Sequence, residues 1–249
     1  MYAIDLLIDK TLKNEKVLKY LLIHNHIHFM KDNSMIVEFG CGGGTMIRTL
    51  ANDYPLHSFY GYDNDLKAIG YASTHDKDNL FFCITIPSIP EADLIFLIDV
   101  FEHIDKVDQM LPELYQKLKG DGSLIIHVPL EKSGIYSIPF CRKIKSLNSG
   151  HVNFYTYEEV KEILERNGFK VEETFFHYHF ISGLRDFLKY YLFSNTPNIA
   201  KEIIYTRQWN TFGYKFVFKV LDRLAYYESI FLKDIKFGAS GVTIKAVKK

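Results

Sequence analysis

From Ser34 onward, short apolar runs alternate with helical stretches, and this alternation constrains the fold more than any other feature of the chain. The runs that read as strands are MIVEFG, SFYGYD, LFFCI, ADLIFLID, SLIIHVP, FKVEETFF and GVTIKAV. The fourth run is apolar throughout, as a strand buried on both faces of a parallel sheet should be. Strands separated by helices favour an α/β fold with a doubly wound, mostly parallel seven-stranded sheet and helices on both faces.

Helical spacing fills the gaps between these strands. Helices are predicted over Met46–Asn52, Asp65–Ser73 and Val107–Lys119. The last of these is kinked or restarted at Pro112 and is ended by Gly120 and Gly122. The T-x-x-E sequence from Thr156 to Glu159 is a capping box and predicts the start of a further helix.

Two helical regions lie outside this alternation. Leu6–Met30 precedes the first strand and predicts an N-terminal helical cap within residues 1–33. Ser182–Phe237 lies between the last two strands and predicts a helical insertion over residues 177–237, which we expect to act as a lid. No linker marks a second domain, so residues 1–249 are predicted to form a single one.

Composition excludes several classes of protein. Thirty basic side chains balance thirty acidic ones, so no basic surplus favours a nucleic-acid partner. No apolar run approaches the roughly 18 residues that span a bilayer, and the N-terminal residues lack the apolar centre of a signal peptide. Three cysteines are too few and too scattered for a disulfide framework or a zinc site, so we expect a cytoplasmic protein with reduced thiols.

The last third of the chain differs from the rest. Residues 170–249 carry 13 basic and 7 acidic side chains, and 17 aromatic residues lie between Phe175 and Phe231. An apolar, aromatic inner face would hold an acceptor, and a basic outer face predicts peripheral contact with an anionic membrane. Plain packing of a helical pair against the sheet is the alternative.

The strongest local motif is EFGCGGGT, which runs from Glu38 to Thr45 between a predicted strand and a predicted helix. Glycines let the backbone approach a ligand closely and adopt positive φ. Asp63 follows Gly44 by nineteen residues, about the spacing at which an acid binds a ribose hydroxyl in doubly wound folds. A dinucleotide motif would need glycine at Thr45, and no phosphate-loop lysine follows, so a pyrophosphate ligand is disfavoured.

This motif resembles the E/D-x-G-x-G-x-G sequence of class I S-adenosylmethionine-dependent methyltransferases. The similarity continues in the family's order at YGYDND, ADLIFLIDVFEHI, KGDGSLIIHVP and HVNFYTYEEVKEILERNGFKVEE. It covers about Met35–Glu173 and is nearest to the small-molecule, ubiquinone-type O-methyltransferase branch. The resemblance implies a Rossmann-like fold, S-adenosylmethionine as cofactor and methyl transfer as the reaction.

The resemblance also implies where the cofactor lies. Its amino-acid end is assigned to Glu38, Gly40, Cys41 and Gly42. Asp63 would bind the ribose, Asn64 would lie beside the adenine, and Asp99 would lie beneath the cofactor after strand four. Many relatives place an acid after strand three, but FFCITIPSIP has none, so the adenine is held by backbone or by Thr85, or cofactor affinity is weaker.

Two histidines are candidate general bases. His103 follows strand four within a D-x-x-E-H sequence, and His151 precedes the helix that starts near Thr156. His103 could instead brace a helix start. A divalent metal bound by Asp99, Glu102 and His103 is a further alternative, with a precedent in ubiquinone-type enzymes. Three ligands on one segment are a weak set, and no metal is assigned.

These features predict a methyltransferase that acts on an oxygen or nitrogen of a small-molecule or lipid-linked acceptor. Two other classes remain. A non-catalytic S-adenosylmethionine-binding protein would share the fold, and the missing acid after strand three keeps this class open. An NAD(P)-dependent oxidoreductase would need the glycine that Thr45 replaces.

Overall fold

A computed structural model describes residues 8–10, 14–143, 150–193 and 212–249. Its centre is a seven-stranded sheet with the order β3-β2-β1-β4-β5-β7-β6, in which only β7 is antiparallel to its neighbours. The strands are β1 Met35–Phe39, β2 Ser58–Tyr62, β3 Leu80–Cys83, β4 Ala92–Ile98, β5 Leu118–Pro129, β6 Phe169–His177 and β7 Gly241–Lys248. The predicted doubly wound α/β sheet is confirmed.

Helices cover both faces of the sheet. They are α1 Glu15–His28, α2 Thr45–Asp53, α3 Leu66–Ala72, α4 Val107–Lys117, α5 Tyr157–Arg166, α6 Phe180–Phe193 and α7 Phe212–Phe231. On one face, α1 and α2 bury Tyr20 and Ile47 against the strands. On the other, α4 and α5 bury Leu111 and Leu164. Burial of apolar side chains on both faces explains why the central strands are apolar throughout.

The first helix is shorter than predicted. Helical spacing extends back to Leu6, but α1 begins at Glu15 because the side chain of Asn14 accepts a hydrogen bond from the backbone N–H of Val17 and caps the helix. Residues 8–10 are not helical, and residues 1–7 and 11–13 lie outside the described residues. The capping box between Thr156 and Glu159 is present as predicted and starts α5.

The fifth strand is longer than predicted. We expected Gly120 and Gly122 to separate a helix from a strand, but α4 ends at Lys117 and β5 starts at once with Leu118, which pairs with Ala92. A Cβ at Gly122 would lie 3.0 Å from the carbonyl oxygen of Ala92, so glycine permits this close pairing. Helix α4 runs through Pro112 as one element.

The insertion between β6 and β7 contains α6 and α7, which contact each other. Glu228 of α7 accepts hydrogen bonds from the backbone N–H groups at the start of α6, including that of Ile181 at 3.0 Å. The buried Arg185 of α6 forms an ion pair with Asp222 of α7 over 2.8 Å. Each helix therefore satisfies polar groups of the other, although residues 194–211 between them lie outside the described residues.

Among the described residues, no helix has the length and apolar character needed to cross a bilayer.

Candidate active site

The glycine loop follows β1 at the carboxyl edge of the sheet, and three of its glycines have left-handed backbone. The φ angles of Gly40, Gly42 and Gly44 are 81°, 52° and 76°. A Cβ at Gly40 would lie 2.4 Å from Cγ2 of Val100, so no other residue fits there. A Cβ at Gly42 would meet nothing within 4 Å, so this part of the loop borders open space. The loop is shaped to let a ligand approach its backbone.

Asp63 lies beside this open space at the end of β2. Its Oδ2 accepts a hydrogen bond from the N–H of Gly42 at 2.7 Å, and its Oδ1 accepts one from the N–H of Asp65 at 2.9 Å. The side chain is half-buried, and the following Asn64 is exposed. A fixed carboxylate next to a glycine loop has the chemistry and position to accept hydrogen bonds from a ribose.

Glu38 is buried below the loop and caps α2. Its Oε2 accepts a hydrogen bond from the N–H of Ile47 at 3.0 Å. Burial raises the pKa of this carboxyl to about 8, and the nearby Asp63 contributes to the rise. A pyrophosphate would use the N–H groups at such a helix start, but one of them is already bonded to Glu38. The arrangement therefore disfavours a dinucleotide for a physical reason that the motif alone did not give.

Two other predicted cofactor residues have local partners. The Cys41 thiol is buried against Gly61, where an added Cβ would lie 2.9 Å from its Sγ, and burial raises its pKa. The N–H of Cys41 donates to the carbonyl oxygen of Tyr62 at 2.8 Å. Thr85 follows β3, and its hydroxyl lies 2.6 Å from the hydroxyl of Ser88. Contact between either side chain and a cofactor stays a prediction.

Asp99 follows β4 and is held by two side chains. Its Oδ2 accepts a hydrogen bond from Nζ of Lys19 at 2.5 Å, and its Oδ1 lies 2.7 Å from Nδ1 of His127. Desolvation by the residues packed around it would raise the pKa of the Asp99 carboxyl, although its side chain keeps 47% of its surface exposed. The Lys19 ammonium and the His127 imidazole nevertheless hold this pKa well below its ordinary value. Asp99 is therefore a fixed anion at the edge of the sheet, one residue before Val100.

Sequence reasoning missed both partners of Asp99. Lys19 belongs to the helical run VLKYLLI and His127 to the strand run SLIIHVP. Both residues are charged or titratable and stand within apolar runs. This pattern could have indicated them, since such a group needs a partner once the run is buried. Lys19 is 9% exposed and His127 is 0% exposed.

The predicted bases His103 and His151 meet, with ring centres 4.8 Å apart. Nδ1 of His151 lies 2.8 Å from Oε1 of Glu131, and its Nε2 lies 3.8 Å from Oε1 of Glu102. Both glutamates are about 1% exposed. Burial and the neighbouring His151 lower the pKa of His103, and a hydrogen bond to the carbonyl oxygen of Gly150 partly opposes this shift. A neutral imidazole at neutral pH can accept a proton.

The alternative metal set of Asp99, Glu102 and His103 differs in one member from the group of possible ligands that the structure brings together. Asp99 is bonded to Lys19 and His127, whereas the group whose ligand atoms lie within 4.8 Å of one another is Glu102, His103 and His151. One carboxylate and two imidazoles are acceptable ligands for a borderline divalent cation. The third ligand comes from a segment 48 residues further along the chain, which sequence spacing alone could not identify.

A family model described as "Methyltransferase domain" matches residues 14–174, more than half of the chain. The chain belongs to the methyltransferase family. The seven-stranded sheet, with its one antiparallel strand, places this methyltransferase in the class I S-adenosylmethionine-dependent group that its motifs resemble.

Individual relatives are more distant. The chain is similar to the mitochondrial ubiquinone biosynthesis O-methyltransferase of Candida albicans, with 28% identity over 39% of this chain and 33% of the relative. It is similar to the ubiquinone biosynthesis O-methyltransferase of Rickettsia typhi, with 26% identity over 44% of this chain and 47% of the relative. The aligned parts thus span less than half of the length of these curated relatives.

Among solved structures, the fold is similar to that of the mycolic acid cyclopropane synthase CmaA1 complexed with S-adenosylhomocysteine and CTAB. The TM-score is 0.60 at 14% identity, over 94% of this chain and 84% of the other. A likeness at this identity supports the fold alone.

Proposed function

We propose that this methyltransferase transfers a methyl group from S-adenosylmethionine to an oxygen or nitrogen of a small-molecule or lipid-linked acceptor. The observation that carries the proposal is the open space at Gly42 beside the fixed carboxylate of Asp63. The loop glycines and Glu38 would hold the amino-acid end of the cofactor, and Asp63 its ribose. When bound, the cofactor supplies an activated methyl group.

In this proposal the protein aligns the acceptor with the methyl group and removes the acceptor's proton. Glu131 orients His151 through Nδ1 and leaves Nε2 as the nitrogen that accepts the proton. His103 lies next to it and is the second candidate base. The similarity to ubiquinone biosynthesis O-methyltransferases favours an oxygen on a lipid-linked ring as the acceptor.

The insertion supports a lipid-linked acceptor and a peripheral membrane contact. Phe231 and Phe237 are 83% and 81% exposed. Lys233, Asp234 and Lys236 lie between them, and Lys236 is paired with Glu158. Exposed aromatic side chains interleaved with lysines are typical of surfaces that contact anionic membranes. In this proposal α6 and α7 form a lid over the acceptor, the protein acts in the cytoplasm at the membrane surface, and no nucleic acid takes part.

Ligand binding tests the cofactor assignment. We expect S-adenosylhomocysteine to raise the melting temperature of the protein and NAD(P) to leave it unchanged. Stabilisation by NAD(P) alone would favour an oxidoreductase. A non-catalytic binding protein would be stabilised by S-adenosylhomocysteine but would transfer no labelled methyl group to any acceptor in a cell extract, whereas we expect transfer.

A further inference from the structure

Four side chains from four parts of the chain meet at the carboxyl edge of the sheet. They are Lys19 of α1, Asp99 after β4, His127 of β5 and Tyr178 after β6, and we call them the Lys19 cluster. Asp99 contacts Lys19 and His127 through its two carboxylate oxygens. The Lys19 ammonium also lies 5.5 Å from the centre of the Tyr178 ring, and the rings of His127 and Tyr178 are 5.5 Å apart.

Two members of the cluster have left-handed backbone. Asp99 and Tyr178 both have a φ of 56°, and among the described residues only Asn33 is a further non-glycine residue with positive φ. Bulky side chains rarely adopt this conformation. Strained residues persist where the surrounding contacts hold them, and they concentrate at functional sites.

The cluster lies beside the glycine loop. Asp99 is followed by Val100, whose side chain fills the space next to Gly40. The Lys19 side chain is 10% exposed, whereas that of Asp99 is 47% exposed. The ammonium is thus enclosed, and the carboxylate is the member that borders open space near the methionine end of the proposed cofactor site.

We propose that Lys19 determines how strongly the site distinguishes the cationic cofactor from its neutral product, because Lys19 neutralises Asp99. This inference rests on the proposed function. S-adenosylmethionine carries one positive charge more than S-adenosylhomocysteine, at the sulfur that loses the methyl group. An unpaired carboxylate nearby would stabilise the positive charge of the bound cofactor before transfer. Because this charge is lost during transfer, the carboxylate would raise the free-energy barrier to methyl transfer. Lys19 prevents this stabilisation.

Calorimetry with both ligands tests the proposal without turnover. In Lys19→Met, Asp99 loses its cationic partner, and we expect the affinity for S-adenosylmethionine relative to S-adenosylhomocysteine to rise about three- to tenfold, given partial solvent screening. Lys19→Arg should restore the wild-type ratio. The matched control is Lys16→Met, which removes the same charge from an exposed position of the same helix and should leave the ratio unchanged.

Asp99→Asn supplies a test of opposite sign. It leaves Lys19 without its anion, so the affinity ratio should move toward S-adenosylhomocysteine. Unchanged ratios in Lys19→Met and Asp99→Asn would overturn the proposal, as would an equal shift in Lys16→Met. If Lys19→Met does not fold, the direction of the Asp99→Asn shift decides. Failure of the wild-type protein to bind either ligand would instead overturn the proposed function.

Discussion

The carboxylate of Asp63 accepts a hydrogen bond from the backbone N–H of Gly42 over 2.7 Å, so the acid that ends β2 and the loop that follows β1 are joined directly. The same carboxylate also bonds the N–H of Asp65. Asp63 therefore has two roles in the proposed site, because it shapes the glycine loop and offers an anion to the ribose.

Asp63→Ala should weaken S-adenosylhomocysteine binding by about tenfold to a hundredfold, since a charge-assisted hydrogen bond is lost and the Gly42 amide is released. Calorimetry measures this change. Asp65→Ala is the matched control: Asp65 caps α3 by accepting from the N–H groups of Lys67 and Ala68, so its loss should lower stability by about 1 kcal/mol and leave the affinity unchanged. Equal affinities of wild type and Asp63→Ala would refute the ribose assignment.

Glu38 should make stability depend on pH in a predictable direction. Its folded pKa of about 8 lies above the ordinary 4.5, so the folded state holds a proton that the unfolded state releases. Its stabilising contribution is fully present below pH 4.5 and is lost as pH rises to about 8. We expect the free energy of unfolding of the ligand-free protein, relative to Glu38→Gln, to fall by a few kcal/mol across this range. Parallel pH profiles for both proteins would contradict the assignment.

His151→Gln should lower the rate of methyl transfer by about a hundredfold or more, because it removes the proposed general base. The affinity for S-adenosylhomocysteine should be retained, because the residues proposed to bind the cofactor are unchanged. Transfer from labelled S-adenosylmethionine to acceptors in a cell extract measures the rate. Wild-type transfer should persist in EDTA. Loss of transfer in EDTA, followed by recovery with a divalent ion, would assign Glu102, His103 and His151 to a metal instead.

Replacement of residues 180–231 by a short glycine-rich linker should abolish methyl transfer but preserve S-adenosylhomocysteine binding. The change keeps Tyr178 and removes α6 and α7, whose facing ends are close because Glu228 bonds the start of α6. Calorimetry and the labelled-transfer assay together give the result. Loss of both properties would show that the insertion is part of the core rather than a lid.

Phe231→Ser combined with Phe237→Ser should reduce retention of the protein by vesicles that contain anionic lipid, because two exposed aromatic side chains no longer enter the interface. Co-sedimentation with anionic and neutral vesicles measures the effect, and neutral vesicles should retain less wild-type protein. Leu66→Ser is the control, since Leu66 is 68% exposed and begins α3, which contacts β3 at the far edge of the sheet from β7 and β6. Equal retention of all three proteins would contradict the membrane contact.

The order of strands and helices could be predicted from sequence because each element carries its own periodicity and its own ends. Element boundaries were less predictable. Apolar residues at helical spacing continue before Glu15, but α1 starts at Glu15 because the Asn14 side chain caps it. The start of β5 depends on its pairing with β4, which no short stretch of sequence indicates.

In the candidate site, too, some residues could be predicted from the sequence and others could not. The spacing from the glycine loop indicated Asp63 as a ribose ligand, and the family resemblance assigned Glu38 and Gly42 to the amino-acid end of the cofactor. The pair Lys19–Asp99 joins positions 80 residues apart, and the contact of His151 with Glu131 depends on how a loop returns to the sheet. Such contacts arise from tertiary packing, and no periodic pattern in a single sequence indicates them.

Strand β7 pairs with both β5 and β6, although it follows both of them in the chain. During synthesis, β6 therefore has no neighbour in the sheet until the whole insertion and then β7 have emerged, and β5 keeps an unpaired edge for the same interval. Open strand edges recruit other chains. Newly made protein should thus be most prone to aggregation, and most dependent on chaperones, while the ribosome translates the insertion.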